Sequence, residues 1–399
     1  MLSYAPGKVP RIEDLEEGLL MPAVGLEASG LLVESPTGIA TYGASLAEAL
    51  ERRSPGACLL LVPWKWWHRR DLVRRRLHVP LCPYLSGRWL HRRVRLVHAL
   101  DTRLPARYGG ILVATVFDVI SALPMSASLE LSSPRFREKK VRAYEEIARR
   151  ADAVVTLSEA VRADFLRRFP TKAPVHVIPP GVTSPPRAGN REEVLQKHRV
   201  RCPFLLSVGA LCPRKNVEGT VRALERAREK FPDLQLVWVG EASFGWQGSR
   251  AEDAARRSGA VRLLGYLTRP DLWALYASAE AVLHLSHYEG YGLTVIEALS
   301  TGTPVVASDR GGIPEAAGGA AWLVNPDDDG AVDAAVLEVL EGGEAVDRRR
   351  ESGVAHTGLL TWDSAAQRVQ ALHASLLGGG PGDEDNPPGI DVRLHPTCR

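Results

Sequence analysis

The sequence predicts an α/β protein built from two doubly wound domains that face each other across a cleft. Short apolar runs alternate with helical patterns from about residue 22 to residue 378. Such alternation is typical of parallel sheets whose strands are connected by helices. The chain of 399 residues has room for two domains of ordinary size. A Pro- and Gly-containing stretch that starts at Pro179 divides the alternation into two series, which indicates two separate sheets.

Apolar runs of strand length recur in both halves of the chain. In the first half they lie at 22–28, 58–62, 110–117, 153–157 and 175–178. In the second half they lie at 204–209, 235–240, 261–264, 281–285, 303–307 and 321–323. Ligands of doubly wound sheets bind at the carboxyl ends of the strands. We therefore expect the functional loops of both domains to face the cleft.

The order of these patterns predicts six segments. They are an N-terminal extension over 1–21, a first domain over 22–184, a linker over 185–199, a second domain over 200–361, a final helix over 362–377 and a tail over 378–399. The tail is rich in Gly, Pro and acidic residues, a composition typical of disorder.

The bulk composition, with 45% hydrophobic and 24% charged residues, is that of a soluble globular protein. No apolar run reaches the roughly 18 to 20 residues that a membrane span needs, and acidic residues near the start argue against an export signal. The cysteines are scattered and odd in number, without the spacing of metal ligands; they are Cys58, Cys82, Cys202, Cys212 and Cys398. This pattern favours reduced thiols and a cytoplasmic location.

The most informative motif is a glycine-bearing turn between an apolar strand and a helix. Gly290 and Gly292 allow a tight turn and a close approach of the backbone to a ligand. The helix that follows offers free N–H groups and a positive dipole end, which suit a phosphate. Glu289 precedes the turn and Glu297 lies about two helical turns later, so both carboxylates are expected to face one pocket. The structural alternative is that Glu289 caps the helix and Glu297 is a solvated helix residue.

A second motif places two cations between a buried strand and a helix. The strand ends in Gly209, and Arg214 and Lys215 follow after a short loop. Arginine can bind phosphate oxygens in a bidentate manner, and lysine adds a point charge. In isolation, a pair of this kind could equally be a solvated surface feature.

Together these segments resemble a known family of enzymes. The frame E-G-Y-G-L-x-x-x-E-A-L-x-x-G-T-P-V-V-A-S over 289–308 is similar to the donor-site signature of the family 4 retaining glycosyltransferases. The P-R-K-N run over 213–216 is similar to the loop that holds the donor diphosphate in that family. The resemblance extends over roughly 22–377 and is looser in the first half. It implies the GT-B fold, two Rossmann-like domains facing a cleft, with a C-terminal helix that returns to the N-terminal domain.

The resemblance also implies roles for individual residues. Glu289 would hold hydroxyl groups of the transferred sugar, and Glu297 the ribose hydroxyls. Arg214, Lys215 and the backbone amides of the following helix would stabilise the leaving diphosphate. The full set of implied donor-binding residues is Gly38, Gly209, Tyr266, Leu267, Gly290, Tyr291, Gly292, Leu293, Thr294 and Glu297.

The first half departs from the family at one position. Where the family usually has His-Asp, with the histidine reaching toward the sugar, this chain has Phe117-Asp118. Asp118 is retained and is taken as catalytic. Phe117 and His98 are the acceptor-side candidates, since His98 ends a strand-like run and could line the same cleft. A lone histidine of this kind is also frequently a structural residue.

The expected function is transfer of a hexose, of the mannose or glucose type, from a nucleotide-diphosphate sugar to a glycan or lipid-linked acceptor. The resemblance implies a metal-independent reaction without a cofactor, and no Asp-x-Asp motif lies near the predicted site. Two alternatives remain open. One is a sugar-nucleotide epimerase, and the other is a catalytically weak protein that only binds nucleotide or glycan.

The stretch 64–95 is strongly basic and rich in tryptophan. Its net charge is about +9, while that of the whole chain is +3. Tryptophan favours the headgroup boundary of a bilayer, and each Lys or Arg near an anionic surface adds about 1 kcal/mol. The stretch therefore predicts peripheral binding to an anionic membrane surface, at the inner face of the cell membrane. A solvated basic face or a groove for an anionic acceptor is the alternative, and nucleic acid is not expected as a partner.

Overall fold

The first half of the chain forms a parallel sheet of seven strands. The structure is a computed structural model that describes residues 24–33, 37–124, 133–183, 191–242, 253 and 256–378. The strands are β1 (Val24–Glu27), β2 (Cys58–Pro63), β3 (Leu81–Tyr84), β4 (Leu96–Ala99), β5 (Ile111–Val116), β6 (Ala153–Thr156) and β7 (Val175–Val177). Their order is β3-β2-β1-β4-β5-β6-β7, so the winding direction reverses between β1 and β4.

Helices connect these strands on both sides of the sheet. They are α1 (Gly38–Arg53), α2 (Arg70–Arg74), α3 (Gly87–Leu90), α4 (Pro134–Arg150) and α5 (Glu159–Arg168). Side-chain caps define several of their starts: the hydroxyl oxygen of Thr37 accepts from the amide of Ala40 in α1, and Ser158 does the same for Val161 in α5. Such caps satisfy amide groups that have no partner inside the helix.

The second half forms a parallel sheet of six strands. They are β8 (Phe204–Val208), β9 (Gln235–Val239), β10 (Val261–Leu263), β11 (Ala281–His284), β12 (Val305–Ser308) and β13 (Trp322–Val324). The order is β10-β9-β8-β11-β12-β13, with the reversal between β8 and β11. The helices are α6 (Arg191–Lys197), α7 (Val217–Arg228), α8 (Arg269–Tyr276), α9 (Leu293–Ser300), α10 (Ile313–Ala317), α11 (Asp329–Glu341) and α12 (Glu344–Leu359).

The last helix, α13 (Trp362–Gly378), packs on the N-terminal domain against α1. Arg53 of α1 forms an ion pair of 2.7 Å with Asp363. The ring of Trp362 meets that of Tyr42 edge to face, with centroids 5.6 Å apart. The predicted return of the C-terminal helix is confirmed, and so is the expected architecture of two doubly wound domains.

The segment predicted as a linker differs from that expectation in part. Residues 191–197 form α6, and Lys197 of this helix contacts Asp271 of α8 at 2.7 Å. Most residues of this segment favour helices, so the Pro and Gly residues before it did not extend the linker to residue 199. At the chain end, α13 includes Gly378, the first residue of the predicted tail. The predicted extension over 1–21 and the tail over 379–399 lie outside the described residues.

The two domains meet at the carboxyl edges of their sheets. The hydroxyl group of Ser158 donates to the carbonyl of Gly290 at 2.7 Å. The carboxylate of Glu315 accepts from the amides of Glu159 and Ala160 at 2.8 and 2.9 Å. These contacts place the N-terminus of α5 against the glycine turn of the second domain, so the cleft is closed around that turn.

Candidate functional site

Two cations and one carboxylate form the centre of the site, at the point where the winding of the second sheet reverses. Arg214 and Lys215 follow β8 in a short 3-10 helix, and Glu289 follows β11. The ammonium nitrogen of Lys215 lies 2.7 Å from Oε1 of Glu289, and Arg214 contacts the same oxygen. A guanidinium nitrogen of Arg214 also donates to the carbonyl of Tyr288 at 3.1 Å. Reversal points of this kind are where ligands of doubly wound sheets bind.

The electrostatics of this centre favour an anionic ligand. Burial would raise the pKa of Glu289, but the charges of Arg214 and Lys215 outweigh burial and hold that pKa well below its usual range. Burial lowers the pKa of Lys215, and Glu289 partly offsets this effect. With Arg214 charged as well, two positive charges face one negative charge. This pair of fixed cations suits a phosphate group.

The glycine turn brings the backbone of the second domain directly against the first. A side chain at Gly290 would place its Cβ only 1.8 Å from the carbonyl oxygen of Phe117. Gly292 has a φ of +115° and precedes α9, whose first amides receive no side-chain cap. These amides remain available to a ligand. Across the cleft, a Cβ at Gly38 would lie 3.7 Å from Leu293, so the N-termini of α1 and α9 adjoin.

A cavity of about 260 Å³ lies between the domains beside this centre. Its walls are formed by Ile39, Asp101, Thr102, Phe117, Asp118, Ile120, Ser121, Phe136, Lys140, Tyr144, Arg214, Tyr288, Glu289 and Gly290. On the side of the first domain, the ammonium group of Lys140 donates to the hydroxyl oxygen of Thr102 at 3.0 Å and lies 3.7 Å from Asp101. The cavity therefore joins the cation centre to a polar wall of the N-terminal domain.

The structure brings most of the predicted central residues together. Glu289, Arg214, Phe117 and Asp118 all line the cavity. The ring of Phe117 packs edge to face on Tyr42, with centroids 5.0 Å apart. Asp118 accepts a hydrogen bond of 3.0 Å from the amide of Ile120, and burial raises the pKa of its carboxyl group.

The expectation that His98 could line the cleft is wrong. His98 is fully buried in β4, on the face of the sheet that α13 covers. Its Nδ1 lies 3.0 Å from Nε2 of His373 and its Nε2 lies 2.9 Å from the hydroxyl of Thr115. His98 lies inside β4 rather than beyond its carboxyl end, so its side chain points into a face of the sheet that α13 covers and not into the cleft.

Glu297 is not part of the cavity wall, although the spacing predicted one shared pocket for both glutamates. Its side chain pairs with Arg269 at 2.8 Å and accepts from the hydroxyl of Tyr276 at 3.0 Å. Both oxygens therefore have protein partners. Among the other predicted donor residues, Tyr266 is exposed and Tyr291 is buried.

Several cleft residues were missed by the sequence analysis. Lys140 comes from the middle of α4, and no local pattern marks it. Asp101 and Thr102 directly follow β4, so their place at a strand end was the available signal. His284 lies at the end of β11 with Nε2 3.7 Å from Oε1 of Glu289, and burial together with Lys215 lowers its pKa to about 3. In the described ranges, no group of three or more His, Cys, Asp or Glu residues could hold a metal ion.

Two doubly wound parallel sheets, closed on each other at their carboxyl edges and tied by a returning helix, define the GT-B fold. Comparison with known families shows to which family the chain belongs. Residues 36–184 match the profile described as Glycosyltransferase Family 4, and residues 190–355 match Glycosyl transferases group 1. The chain belongs to the family 4 glycosyltransferases.

Individual relatives agree with this assignment. The chain is 30% identical over 289 residues to the MMP alpha-(1->4)-mannosyltransferase of Mycolicibacterium hassiacum. The matched region covers 68% of this chain and 67% of that protein. It is 30% identical over 233 residues to O-antigen chain mannosyltransferase B of Escherichia coli, covering 57% of this chain and 55% of the relative. The chain thus spans about half the length of the latter protein.

A solved structure with the same fold is that of Anabaena HepE in complex with UDP and glucose. It superposes with a TM-score of 0.70 at 19% identity, over 88% of this chain and 99% of the other. At this identity the likeness concerns the fold alone.

Proposed function

We propose that the chain is a retaining glycosyltransferase that moves a hexose from a nucleotide-diphosphate sugar to an acceptor hydroxyl. The observation that carries the proposal is the half-buried pair Arg214 and Lys215 beside the uncapped N-terminus of α9. Cations and amides fixed in this way stabilise the charge that develops on a leaving diphosphate. Family membership and relatives named as mannosyltransferases support a hexose donor of the mannose or glucose type.

In the proposed reaction, the bond between the anomeric carbon and the diphosphate oxygen breaks, and its electron pair stays on that oxygen. The acceptor oxygen forms its bond on the same face of the sugar, and its proton passes to the released phosphate oxygen. Arg214 and Lys215 supply the positive charge, so the proposal requires neither a metal nor a cofactor. Glu289, displaced from the cations by the diphosphate, would bind the sugar hydroxyls, and Asp118 would face the acceptor.

The proposed acceptor is a glycan or a lipid-linked sugar. Asp101, Thr102 and Lys140 line the cavity opposite the cation centre, and such groups bind sugar hydroxyls by hydrogen bonds. The basic surface over 64–95 supports a lipid-linked acceptor presented at the inner face of the cell membrane, where anionic lipids attract Lys and Arg. Within the described residues, no helix combines the length and apolarity that crossing a bilayer requires.

A second candidate, a protein that binds nucleotide or glycan without efficient transfer, is favoured by Phe117 in the place of the family's histidine. An epimerase is the other alternative. Incubation with a single nucleotide sugar separates them: a transferase slowly hydrolyses or transfers the sugar, an epimerase releases an isomeric product, and a binding protein leaves the donor unchanged. Nuclear magnetic resonance of the product's anomeric proton reports whether configuration is retained.

The diphosphate site is tested by replacing Arg214 and Lys215 with methionine. Charge-assisted hydrogen bonds contribute about 1.5 to 3 kcal/mol each, so nucleoside diphosphates should bind more weakly by several kcal/mol. The parent nucleosides should bind unchanged. Calorimetry with UDP, GDP and ADP and with their nucleosides measures both effects. The control replaces the exposed Arg226 and Lys230 with methionine; equal weakening of both ligand classes by the site variant would refute the proposed diphosphate site.

A further inference from the structure

Two large apolar side chains project into solvent at one corner of the N-terminal domain. Trp64 directly follows β2 and has 49% of its surface exposed, and Leu85 directly follows β3 with 70% exposed. The residues before them, Pro63 and Tyr84, are register partners in neighbouring strands. Trp64 and Leu85 therefore lie side by side at the carboxyl edge of the sheet, which is the edge that faces the cleft.

The other tryptophans of this region are not exposed in the same way. Lys65 and Arg103 lie over the ring of Trp66 at 4.6 and 5.0 Å from its centroid. Trp67 lies beneath Arg70 at 5.4 Å, and Trp89 lies beneath Arg93 at 5.0 Å. All three rings are half-buried against the domain. Of the four tryptophans in 64–95, only Trp64 presents its ring freely to a partner.

Exposed basic residues lie near this apolar pair along the chain. Lys65 and Arg69 lie in the 3-10 helix that begins at Trp64, and Arg88 lies three residues after Leu85. Arg69 and Arg76 donate to the carbonyls of Leu32 and Val33 at 3.3 and 3.1 Å, and these carbonyls belong to the loop after β1. These basic residues therefore lie at the same carboxyl edge as Trp64 and Leu85.

We propose that this corner, defined by Trp64, Leu85 and the basic residues Lys65, Arg69 and Arg88, docks on an anionic phospholipid bilayer. Trp64 and Leu85 enter the boundary between headgroups and acyl chains, and the basic residues contact the phosphates. Charge complementarity favours a bilayer as the partner. The apolar pair matches the acyl layer, and the basic residues near it match the anionic headgroups. Trp66, Trp67 and Trp89 stay within the protein.

Docking in this way orients the enzyme. The carboxyl edge of the first sheet borders the cleft, so the bilayer would lie beside the entrance to the cavity that contains Asp101 and Lys140. A sugar on a lipid could then reach the cavity while its lipid remains in the bilayer. This orientation rests on the proposed function. The docking itself is measured without donor or transfer, so its failure and that of the diphosphate site are distinguishable.

Insertion is tested with the full chain and phosphatidylcholine vesicles, with and without phosphatidylglycerol. The double variant Trp64→Ser and Leu85→Ser should reduce co-sedimentation with the anionic vesicles by about tenfold or more. It lacks the two apolar side chains that would pass from water into the bilayer. The matched control is Leu359→Ser, since Leu359 has 65% of its surface exposed on α12 of the other domain. Equal sedimentation of the double variant and the wild type would overturn the proposal.

The depth of Trp64 provides an independent measurement. Lipids brominated in the acyl chains should quench part of the protein fluorescence in the wild type, and Trp64→Phe should remove that quenching. If the quenching persists in Trp64→Phe, another tryptophan is inserted and the assigned corner is wrong.

The role of charge is tested by Lys65→Glu together with Arg88→Glu. This variant should bind anionic vesicles about tenfold or more weakly, because each cation near the surface raises the binding constant severalfold. The control reverses the exposed Lys172 and Arg201, which precede β7 and β8 at the amino edges of the sheets. Loss of binding in both variants would indicate a general effect of net charge and overturn the site. Binding to single-stranded DNA but not to vesicles would identify a nucleic-acid surface instead.

Discussion

At the scale of single residues, Glu289 occupies the place that the proposed donor phosphates would take. Its carboxylate pairs with both Arg214 and Lys215 in the half-buried centre. Half-buried cations that lose a carboxylate partner destabilise a fold, because their mutual repulsion is no longer offset. Glu289 is therefore expected to stabilise the protein as well as to bind the sugar.

We expect Glu289→Gln to lower transfer by about a hundredfold, because the sugar would lose a positioning contact. The unliganded variant should also be less stable by about 1 to 3 kcal/mol, since two half-buried donors lose a charged acceptor. Inorganic pyrophosphate should restore much of this loss by pairing with the cations. Turnover and melting temperature, each with and without pyrophosphate, check this; an unchanged turnover in a folded variant would contradict the donor-site assignment.

Glu27 is a second residue with an unusual carboxyl group. It is 1% exposed at the end of β1, and its carboxylate accepts from the hydroxyl of Ser29. Burial raises its pKa to about 7 from 4.5. Between these values the unfolded chain is ionised at this site while the folded protein remains protonated. Glu27 therefore reduces stability as the pH rises from about 4.5 to 7.

Glu27→Gln should remove this pH dependence, because glutamine imitates the neutral carboxyl group. Relative to the wild type, the variant should gain about 2 kcal/mol more in free energy of unfolding at pH 8 than at pH 5. Urea denaturation at both pH values measures it, with Glu138→Gln on the exposed face of α4 as the control. An equal change at both pH values would show that Glu27 is already ionised in the folded protein at pH 5.

At the scale of elements, a buried pair of histidines joins α13 to the first sheet. Burial lowers the pKa of His98 well below 6.5, with a smaller effect from His373, and burial lowers that of His373 to about 4. Below pH 6.5 the unfolded chain binds protons at these sites that the folded protein does not. The contribution of the pair to stability is therefore complete above about pH 6.5 and is lost as the pH falls toward 4.

We expect the wild type to lose about 2 kcal/mol at pH 5, relative to pH 7, through His373 alone. Replacing both His98 and His373 with glutamine keeps hydrogen-bonding groups in place. It should reduce the loss of free energy of unfolding between pH 7 and pH 5. Urea denaturation between pH 7 and pH 5 measures the slope. Glutamine at the exposed His68 and His91 should leave the slope as it is; if this control flattens it equally, the buried pair is not the cause.

At the scale of the whole molecule, the closed cleft depends on one position without a side chain. Gly290 contacts the carbonyl of Phe117, and its own carbonyl accepts from Ser158. The hydroxyl group of Tyr288 donates to Asp164 at 2.9 Å across the same boundary. Any side chain at Gly290 would collide with backbone of the other domain, which cannot move without opening the cleft.

Gly290→Ala should therefore hold the domains apart. We expect an increased radius of gyration by small-angle scattering and a loss of transfer of about a hundredfold, because the groups on the two sides lose their alignment. The control is Gly109→Ala, where a Cβ would meet nothing within 4 Å. Unchanged scattering and full activity in Gly290→Ala would mean that the enzyme does not work through this closed arrangement.

Local sequence patterns predicted the fold class and the residues at the centre of the candidate site. Strand and helix periodicity, set by backbone geometry, predicted most strands of both sheets. The residues that follow β8 and β11 form one continuous motif each, so Arg214, Lys215 and Glu289 were found without coordinates. Local signals sufficed there because the turn, the helix start and the charges all lie within a few residues.

Features that depend on contacts between distant segments could not be predicted from local patterns. The packing of α13 on the first sheet buries His98 beside His373, 275 residues away, and so removes His98 from the cleft. Lys140 reaches the cavity from the middle of α4, and Glu297 pairs with Arg269 of another helix. The pairing of β2 with β3 sets Trp64 beside Leu85. No local pattern encodes these neighbours, because side-chain direction and burial follow from which element packs on which.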